Sequence, residues 1–313
     1  RIKRMANGRY ILFVQGGQIA SRIYYCTSDD LLHWSDTQIL FEPYAVTTSE
    51  GSDTRCFSTV DAVVLADGDL LAACSFRAAK GYKHNVGCGI MLRRSRDNGA
   101  TWSDEEIIFE GTNWEPYLLQ LPDGRIQCYF TDCLPATRNS GTSVITSTDN
   151  GRTWTPVNVA VNFNPTGNSA NDYNSGYGVS DPCILLDEVN GTLWVAGIAR
   201  HGLASSKANV DVESLETVQY VVACSTDNGQ TWGSIDPDTG EFVKTKPRSI
   251  NKDIKNKAWK SFFQGPGHGI TMKKTVNGVR PIVFPSQIWT GTSGAGTPQS
   301  CIIYSLDLSL IHI

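Results

Sequence analysis

The chain has 313 residues, with 27 Lys and Arg against 31 Asp and Glu, a charged fraction of 19%, a hydrophobic fraction of 40% and a formal net charge of -4. That balance excludes a disordered polyelectrolyte, and no apolar run reaches the roughly 18 residues that a membrane helix requires. A slight acid excess with no basic face argues against a nucleic-acid partner.

Short β-rich runs recur along the chain, interrupted by two kinds of turn. The first unit, residues 1–45, carries the pair Asn7-Gly8 and then a degenerate motif, Thr27-Ser-Asp29-Asp-Leu-Leu-His-Trp34. The second, 46–110, places Asp67-Gly68 between AVVL and LLAACSF and ends on Ser95-Arg-Asp97-Asn-Gly99-Ala-Thr101-Trp102. The third, 111–160, has Asp123-Gly124 and Ser147-Thr-Asp149-Asn-Gly151-Arg-Thr153-Trp154. The fourth, 161–245, has Asn190-Gly191 and Ser225-Thr-Asp227-Asn-Gly229-Gln-Thr231-Trp232, with a weakly periodic stretch at 205–217 that is the one plausible helix and is placed on a loop. The fifth, 246–307, has Asn277-Gly278 and the opening of another box at Ser305-Leu-Asp307. Residues 308–313, LSLIHI, match what a sequencing-library adapter encodes in frame, and are set aside as a tail.

Asn-Gly and Asp-Gly supply the positive φ angles of tight hairpins, and their flanks are rich in Val, Ile, Leu, Tyr and Trp. Each unit therefore reads as strand, hairpin turn, strand, strand, box turn, strand. Repeated at this interval, such four-stranded meanders predict an all-β fold, a β-propeller with about five blades in one domain over residues 1–307. In the S-x-D-N-G-x-T-W box the carboxylate can accept turn amides, the Gly can turn left-handed and the Trp can fill the gap between sheets. Asp97, Trp102, Asp149, Trp154, Asp227 and Trp232 are expected to be structural clamps, not catalytic groups.

Other chemistry is sparse. Nine Cys with no C-x-x-C pair lie mostly in apolar runs and read as buried free thiols. Five His (33, 84, 201, 268, 312) show no metal-ligand spacing, no cofactor motif occurs, and Gly265-Pro-Gly-His-Gly lacks the Lys-Ser/Thr of a phosphate loop and reads as a close-packed turn.

The boxes and meanders resemble the sialidase (neuraminidase) superfamily of Asp-box propellers, which are six-bladed. In the second half, Val179-Ser-Asp181-Pro182, Gly191-Thr-Leu-Trp194, Phe263-Gln264-Gly265-Pro266-Gly267-His268 and Val283-Phe-Pro285-Ser-Gln287 are similar to bacterial family 33 exo-α-sialidases. The resemblance implies that Asp181 lines a sugar pocket, that Gln287 faces the same funnel, and that Arg77, after Asp67-Gly-Asp-Leu-Leu-Ala-Ala-Cys-Ser-Phe, is a substrate-binding arginine. It also implies departures. The family's acid/base Asp should follow Arg77 by about six residues, yet Ala78-Ala-Lys80-Gly-Tyr82-Lys83-His84 holds no acid. The first carboxylate-binding Arg has only the displaced Arg55 as counterpart. The other two clamp arginines, the Glu and the nucleophilic Tyr belong to later blades, so the chain reads as C-terminally truncated and as at most a binder. Adding three further blades to five gives eight and not six, so either the register of the first three blades or the continuity of the chain near 147–154 departs from the family.

A second resemblance lies in Asn113-Trp114-Glu115-Pro116-Tyr117, which is similar to a motif of family 93 exo-arabinanases. It implies a catalytic role for Glu115, with Trp114 stacking on a sugar. Three readings stay open: an exo-α-sialidase acting on sialylated glycans, an arabinanase-like exo-glycosidase using Glu115, and a non-catalytic carbohydrate-binding propeller. The family implies a secreted or periplasmic location, although the chain opens at Arg1 without a signal pattern and reads as the interior of a longer protein.

Overall fold

Among the described residues four of the five sheets are wholly antiparallel, and each is filled almost entirely by consecutive strands. The computed structural model describes residues 1–17, 21–133, 141–161, 179–199, 219–236, 238–244, 247–254, 256, 259, 261–290, 297–306 and 311–312. The stretch 205–217 lies outside the described residues, as does Asp307.

The first sheet is the meander β1 (Ile2–Arg4), β2 (Tyr10–Gly16), β3 (Arg22–Ser28) and β4 (Gln38–Phe41). The second runs β5 (Tyr44–Thr48), β6 (Gly51–Val64), β7 (Leu70–Ala78), β8 (Cys88–Ser95) and β9 (Glu106–Glu110). It has five strands, not the expected four, because the long β6 first pairs back on β5. The third, β10 (Asn113–Gln120), β11 (Ile126–Asp132), β12 (Gly141–Ser147) and β13 (Asn158–Val161), is again four-stranded.

The fourth is built on β14 (Val179–Leu186), β15 (Leu193–Ala199), β16 (Gln219–Ser225), β17 (Gly233–Ile235) and β18 (Phe242–Lys244), with β19 (Arg248–Ser249) also pairing β16. One turn of helix, α1 (Asn251–Ile254), leads to β20 (Ser261–Gln264) of the fifth sheet. Then β21 (Gly267–His268) joins β14 in parallel, bringing the fourth sheet to seven strands. The fifth sheet is completed by β22 (Ile270–Thr271), β23 (Ile282–Thr290), β24 (Thr297–Ser305) and β25 (Ile311–His312). Two residues of the tail set aside above therefore pair with Tyr304 and Ser305. The chain divides into two compact units, residues 1–134 with 144–157 and residues 135–143 with 158–313.

In the first unit every residue of β7 is buried. A strand covered on both faces loses polar alternation and reads as the near-continuous run LLAACSF. One face of the second sheet packs Phe57, Phe76 and Cys74 against Phe13, Ile23 and Phe41 of the first sheet. The other packs Leu71, Ala73 and Ile90 against Leu118, Cys128 and Phe130 of the third. In the second unit Tyr220 stacks on Phe262, ring centres 4.8 Å apart, within a cluster that includes Trp194 and Phe284. All nine Cys are free, six of them buried.

The three full boxes share one hydrogen-bond set. Ser95, Ser147 and Ser225 each donate Oγ to the box carboxylate at 2.8, 2.8 and 2.7 Å and accept the Gly99, Gly151 and Gly229 amides, each at 2.8 Å. Thr101, Thr153 and Thr231 each donate both amide and hydroxyl to the same carboxylate. The Thr101 hydroxyl is the largest influence holding Asp97 down at about 2, followed by the Thr101 amide.

The degenerate box is shifted by one residue from the sequence alignment. Ser28 and Asp30, not Thr27 and Asp29, occupy the Ser and Asp places, with His33 Nδ1 at 2.7 Å standing in for the Thr hydroxyl. Asp29 instead pairs with Arg9 at 2.7 Å. The copy is one residue shorter, so aligning it on Thr27 misplaces the carboxylate. Leu31 is left at the Asn position with φ +65°.

Within the first unit the first two hairpin turns are each held by the next repeat's box. Asn98 Oδ1 accepts the Asn7 amide at 3.2 Å, and Asn150 Nδ2 donates to Asp67 at 2.8 Å. Arg94 reinforces the second junction, pairing with Asp69 at 2.7 Å while donating to the Asn150 carbonyl.

Candidate functional site

Three sheets carry the same irregularity in the strand that leads into the hairpin turn. The register jumps between Ser58 and Asp61 in β6, between Trp114 and Tyr117 in β10 and between Ser180 and Cys183 in β14. At each jump one residue turns left-handed: Thr59 at φ +49°, Glu115 at +57° and Asp181 at +54°. A non-glycine residue held there stores on the order of 1–3 kcal/mol, so the surroundings must over-determine it. Pro116 and Pro182 follow two of these residues, at a point where a bulge frees the ladder from needing an amide. Bulges re-aim side chains. Glu115 and Asp181, singled out from different resemblances, are thus one structural position in two repeats. Thr59 is the third, and lacked the x-Pro signal that marks the others.

In the first unit the structure brings Arg77, Trp114 and Glu115 together. Arg77 lies between Cys56 of β6 and Cys88 of β8 in register, and β10 begins over it. Its Nη2 donates to the Asn113 carbonyl at 3.2 Å, and its Cζ lies 3.1 Å from the Trp114 ring centre and 5.8 Å from that of Tyr82. The residue is 2% exposed, its Nε has no hydrogen-bond partner, and no carboxylate stands within ion-pair distance of it among the described residues. Burial lowers its pKa, against the opposing effect of Cys88, Cys133, Tyr82 and Glu115. A buried guanidinium without a paired anion is a costly arrangement.

A line of hydroxyls runs beneath it. Glu115 donates its amide to Thr59 Oγ1 at 3.3 Å, Thr59 Oγ1 donates to Ser75 Oγ at 3.0 Å, and Ser75 Oγ donates to Asn113 Oδ1 at 2.7 Å. Asn113 Nδ2 is fixed on the Gly111 carbonyl at 2.9 Å, and Gln15 Oε1 accepts the Thr59 amide at 2.9 Å. Two residues past Thr59, the wholly buried Asp61 accepts the Leu118 amide at 3.0 Å and faces Lys3 Nζ at 3.3 Å and Arg1 Nε at 3.7 Å.

The loop after Arg77, where an acid was sought, forms one 3-10 turn over Gly81–His84. Its acidic contacts come from outside it: Asp53 of β6 accepts the Gly81 amide at 3.0 Å and the Lys80 amide at 3.1 Å, and Glu50, just before β6, lies 3.0 Å from His84 Nδ1. The Gly81 hydrogen bond is the main influence lowering the Asp53 pKa, which suits loop closure and not proton donation at neutral pH.

Arg55 does not join Arg77. It pairs with Ala78 while Arg77 pairs with Cys56, so the two arginines are one residue out of step and leave opposite faces of the sheet. Arg55 donates Nη1 to Tyr44 Oη at 3.1 Å and stacks over Phe76 at 4.4 Å.

In the second unit the Asp181 bulge is met by Gln264 of β20, whose Nε2 donates to the Asp181 carbonyl. Gln264 is 3% exposed and its Oε1 is unpartnered. Gln287 sits on the next strand opposite Phe263 and Ser300, half-buried, so Gln264 is the glutamine that reaches the bulge. The run Phe263-Gln264-Gly265, part of the family-like motif, is where the sequence carries this side chain. Of the loop after Trp289, residues 291–296 lie outside the described residues. Among the described residues no group of His, Cys, Asp and Glu is placed to hold a metal, and no helix is long and apolar enough to cross a membrane.

A model of the BNR repeat-like domain matches residues 2–181. A sialidase of Bacteroides fragilis is 28% identical over 231 residues, 72% of this chain and 37% of that protein. A sialidase of Micromonospora viridifaciens is 31% identical over 165 residues, 51% of this chain and 22% of that protein. Among solved structures, the Hadza microbial sialidase Hz136 superposes with a TM-score of 0.51 at 24% identity, covering 80% of this chain and 45% of that one. The chain thus spans less than half the length of each of these relatives. It belongs to the BNR repeat-like family, within the sialidase β-propeller superfamily.

Proposed function

We propose that this member of the superfamily is part of a sialidase-like glycosidase that acts on terminal sialic acid of glycans, with Arg77, Trp114 and Glu115 in the first unit contributing to the sugar pocket. One observation carries the reading: a buried guanidinium with no ion-pair partner among the described residues, stacked on the Trp114 indole, whose chain neighbour Glu115 is held on a strained bulge. Planar guanidinium donors match the carboxylate that sialic acid carries, and an indole face suits a sugar ring. A neutral sugar gives such a cation nothing to neutralise. Access requires the Trp114 indole to swing off Arg77, which it covers. Asp181 with Gln264, and Gln287 on the neighbouring strand, supply polar groups for substrate in the second unit by the same analogy. Glycans of this kind are displayed outside cells, so the reading carries a secreted or periplasmic location.

Glu115 supports the second reading, an arabinanase-like exo-glycosidase, because it places a carboxylate at the strained position. A retaining or inverting glycosidase needs two carboxyl groups, and a sialidase needs an acid together with a Tyr and Glu pair. The loop after Arg77 offers no acid. The 313-residue chain is therefore expected to bind without turnover.

Calorimetric titration with N-acetylneuraminic acid and, separately, an arabino-oligosaccharide tests this, together with a fluorogenic sialoside assay. Saturable binding of the acidic sugar, weakened at least tenfold by Arg77→Gln, is expected. Arabino-oligosaccharide binding that depends on Glu115 and not on Arg77 would transfer the assignment to the second reading. Robust sialoside turnover would overturn the expectation of a binder.

A further inference from the structure

The hydroxyl line under the site leaves β10 at Glu115, crosses β6 and β7, and returns to β10 at Asn113. Its upper end is the amide of Glu115, a residue held left-handed at φ +57°. Its lower end is Asn113, whose side chain accepts from Ser75 and whose carbonyl takes the one hydrogen bond that the Arg77 guanidinium makes among the described residues. Ser75 is wholly buried and Asn113 is 1% exposed, so water does not compete for these bonds. Thr59 is itself left-handed at φ +49°, and Gln15 fixes its amide. A β-branched residue in that region is costly, and glycine or asparagine would relieve the backbone. What those residues lack is a hydroxyl that accepts from one strand and donates to another.

We infer that Thr59, Ser75 and Asn113 form a positioning relay that sets the Glu115 bulge and the Arg77 guanidinium in one geometry, so that sugar affinity depends on residues that do not touch the sugar. The inference rests on the reading that Arg77 and Glu115 belong to the sugar site. Its physical part concerns two groups tied together through the half-buried Thr59 and the buried Ser75 and Asn113, and that part is measurable without any ligand.

Two isosteres of Thr59 separate the relay from packing. Thr59→Val keeps the branched shape and removes Oγ1, whereas Thr59→Ser keeps the hydroxyl and removes the methyl. Ser75→Ala removes the middle hydroxyl from a central strand and serves as a second probe where the valine variant folds poorly. In the full chain, hydrogen exchange at the Glu115 amide and the Arg77 side-chain NMR signals are read first, the latter because the Trp114 ring current displaces them. The amide is expected to exchange at least tenfold faster in Thr59→Val, and the Arg77 signals to move toward unperturbed positions in Thr59→Val and Ser75→Ala. Thr59→Ser should match the parent in both. N-acetylneuraminic acid titration should then show affinity lowered about tenfold in the first two variants and restored in the serine variant. Unchanged exchange and Arg77 signals in Thr59→Val would overturn the relay. Relay signatures as expected, with no acidic-sugar binding by the parent, would keep the relay and sink the functional reading on its own.

Discussion

Replacing Asp61 by Ala removes a carboxylate whose side chain is 0% exposed. Two separate losses follow from the geometry. The Leu118 amide, bonded to Oδ2 at 3.0 Å, is left buried without an acceptor, a cost of about 1–3 kcal/mol. The Lys3 ammonium, 3.3 Å from Oδ1 and only 15% exposed, and the Arg1 guanidinium at 3.7 Å lose the charge they face. Removing one partner of a buried pair costs about 3–5 kcal/mol, and the outward exposure of Lys3 and Arg1 places this pair at the lower end. Asp61→Ala is therefore expected to destabilise the first unit by about 4–6 kcal/mol. Asp61→Asn retains an acceptor for Leu118, loses only the charge, and should cost about half as much. Urea unfolding followed by Trp fluorescence reads the stability, and exchange of the Leu118 amide reads the local bond. A loss under 1 kcal/mol in Asp61→Ala, with Leu118 still protected, would refute the reasoning.

The shifted degenerate box predicts that Asp30→Asn lowers Tm while Asp29→Asn leaves stability within about 0.5 kcal/mol, as for an exposed ion pair; equal effects would restore the alignment on Thr27. Leu31, at φ +65° where the full boxes have Asn, should gain about 1 kcal/mol as Leu31→Asn, since its box contacts are all through the backbone; a lower Tm would contradict this. The box carboxylates set the response to acid. Asp97 is held in the folded chain at about 2, below its ordinary value, so its contribution is complete above about pH 4 and is lost as pH falls toward 2. Tm measured between pH 5 and 2 should fall through that window, and Asp97→Asn should flatten part of the fall.

The repeats were legible because each is announced by side chains that act within one turn. Ser, Asp, Gly and Thr of a box bond to one another over seven residues, so spacing alone carries the geometry. The hairpin glycines at 8, 68, 124, 191 and 278 all have positive φ, as their dipeptides imply. What the sequence concealed depends on neighbouring strands. Nothing local to Thr59 shows that its hydroxyl meets Ser75, 16 residues on, or that it accepts from Glu115, 56 residues on. Arg55 and Arg77 differ by one step of strand register, and a one-residue offset decides which face a side chain leaves. The extra strands arise where loops fold back onto a meander, as β5 does on β6, and a polar hairpin such as Thr48-Ser49-Glu50-Gly51 has no reason to stand out. Gln264 was hidden by a different cause: a buried amide bonding to a backbone carbonyl leaves no trace in composition.

The locks between turn and box run in one direction along the first unit. The turn at Asn7 is closed by Asn98 of the following repeat, and the turn at Asp67 by Asn150 of the one after. A repeat therefore carries the key for its predecessor and the keyhole for its successor. Stability in such an array is a chain of nearest-neighbour terms, so damage to one box unfastens the sheet before it sooner than its own. The same polarity bears on how the array lengthens. A duplicated segment that begins just after one box and ends with the next brings its own hairpin and its own key. It can be inserted between two existing repeats with every lock still matched, whereas a cut between hairpin and box leaves one turn unfastened on each side.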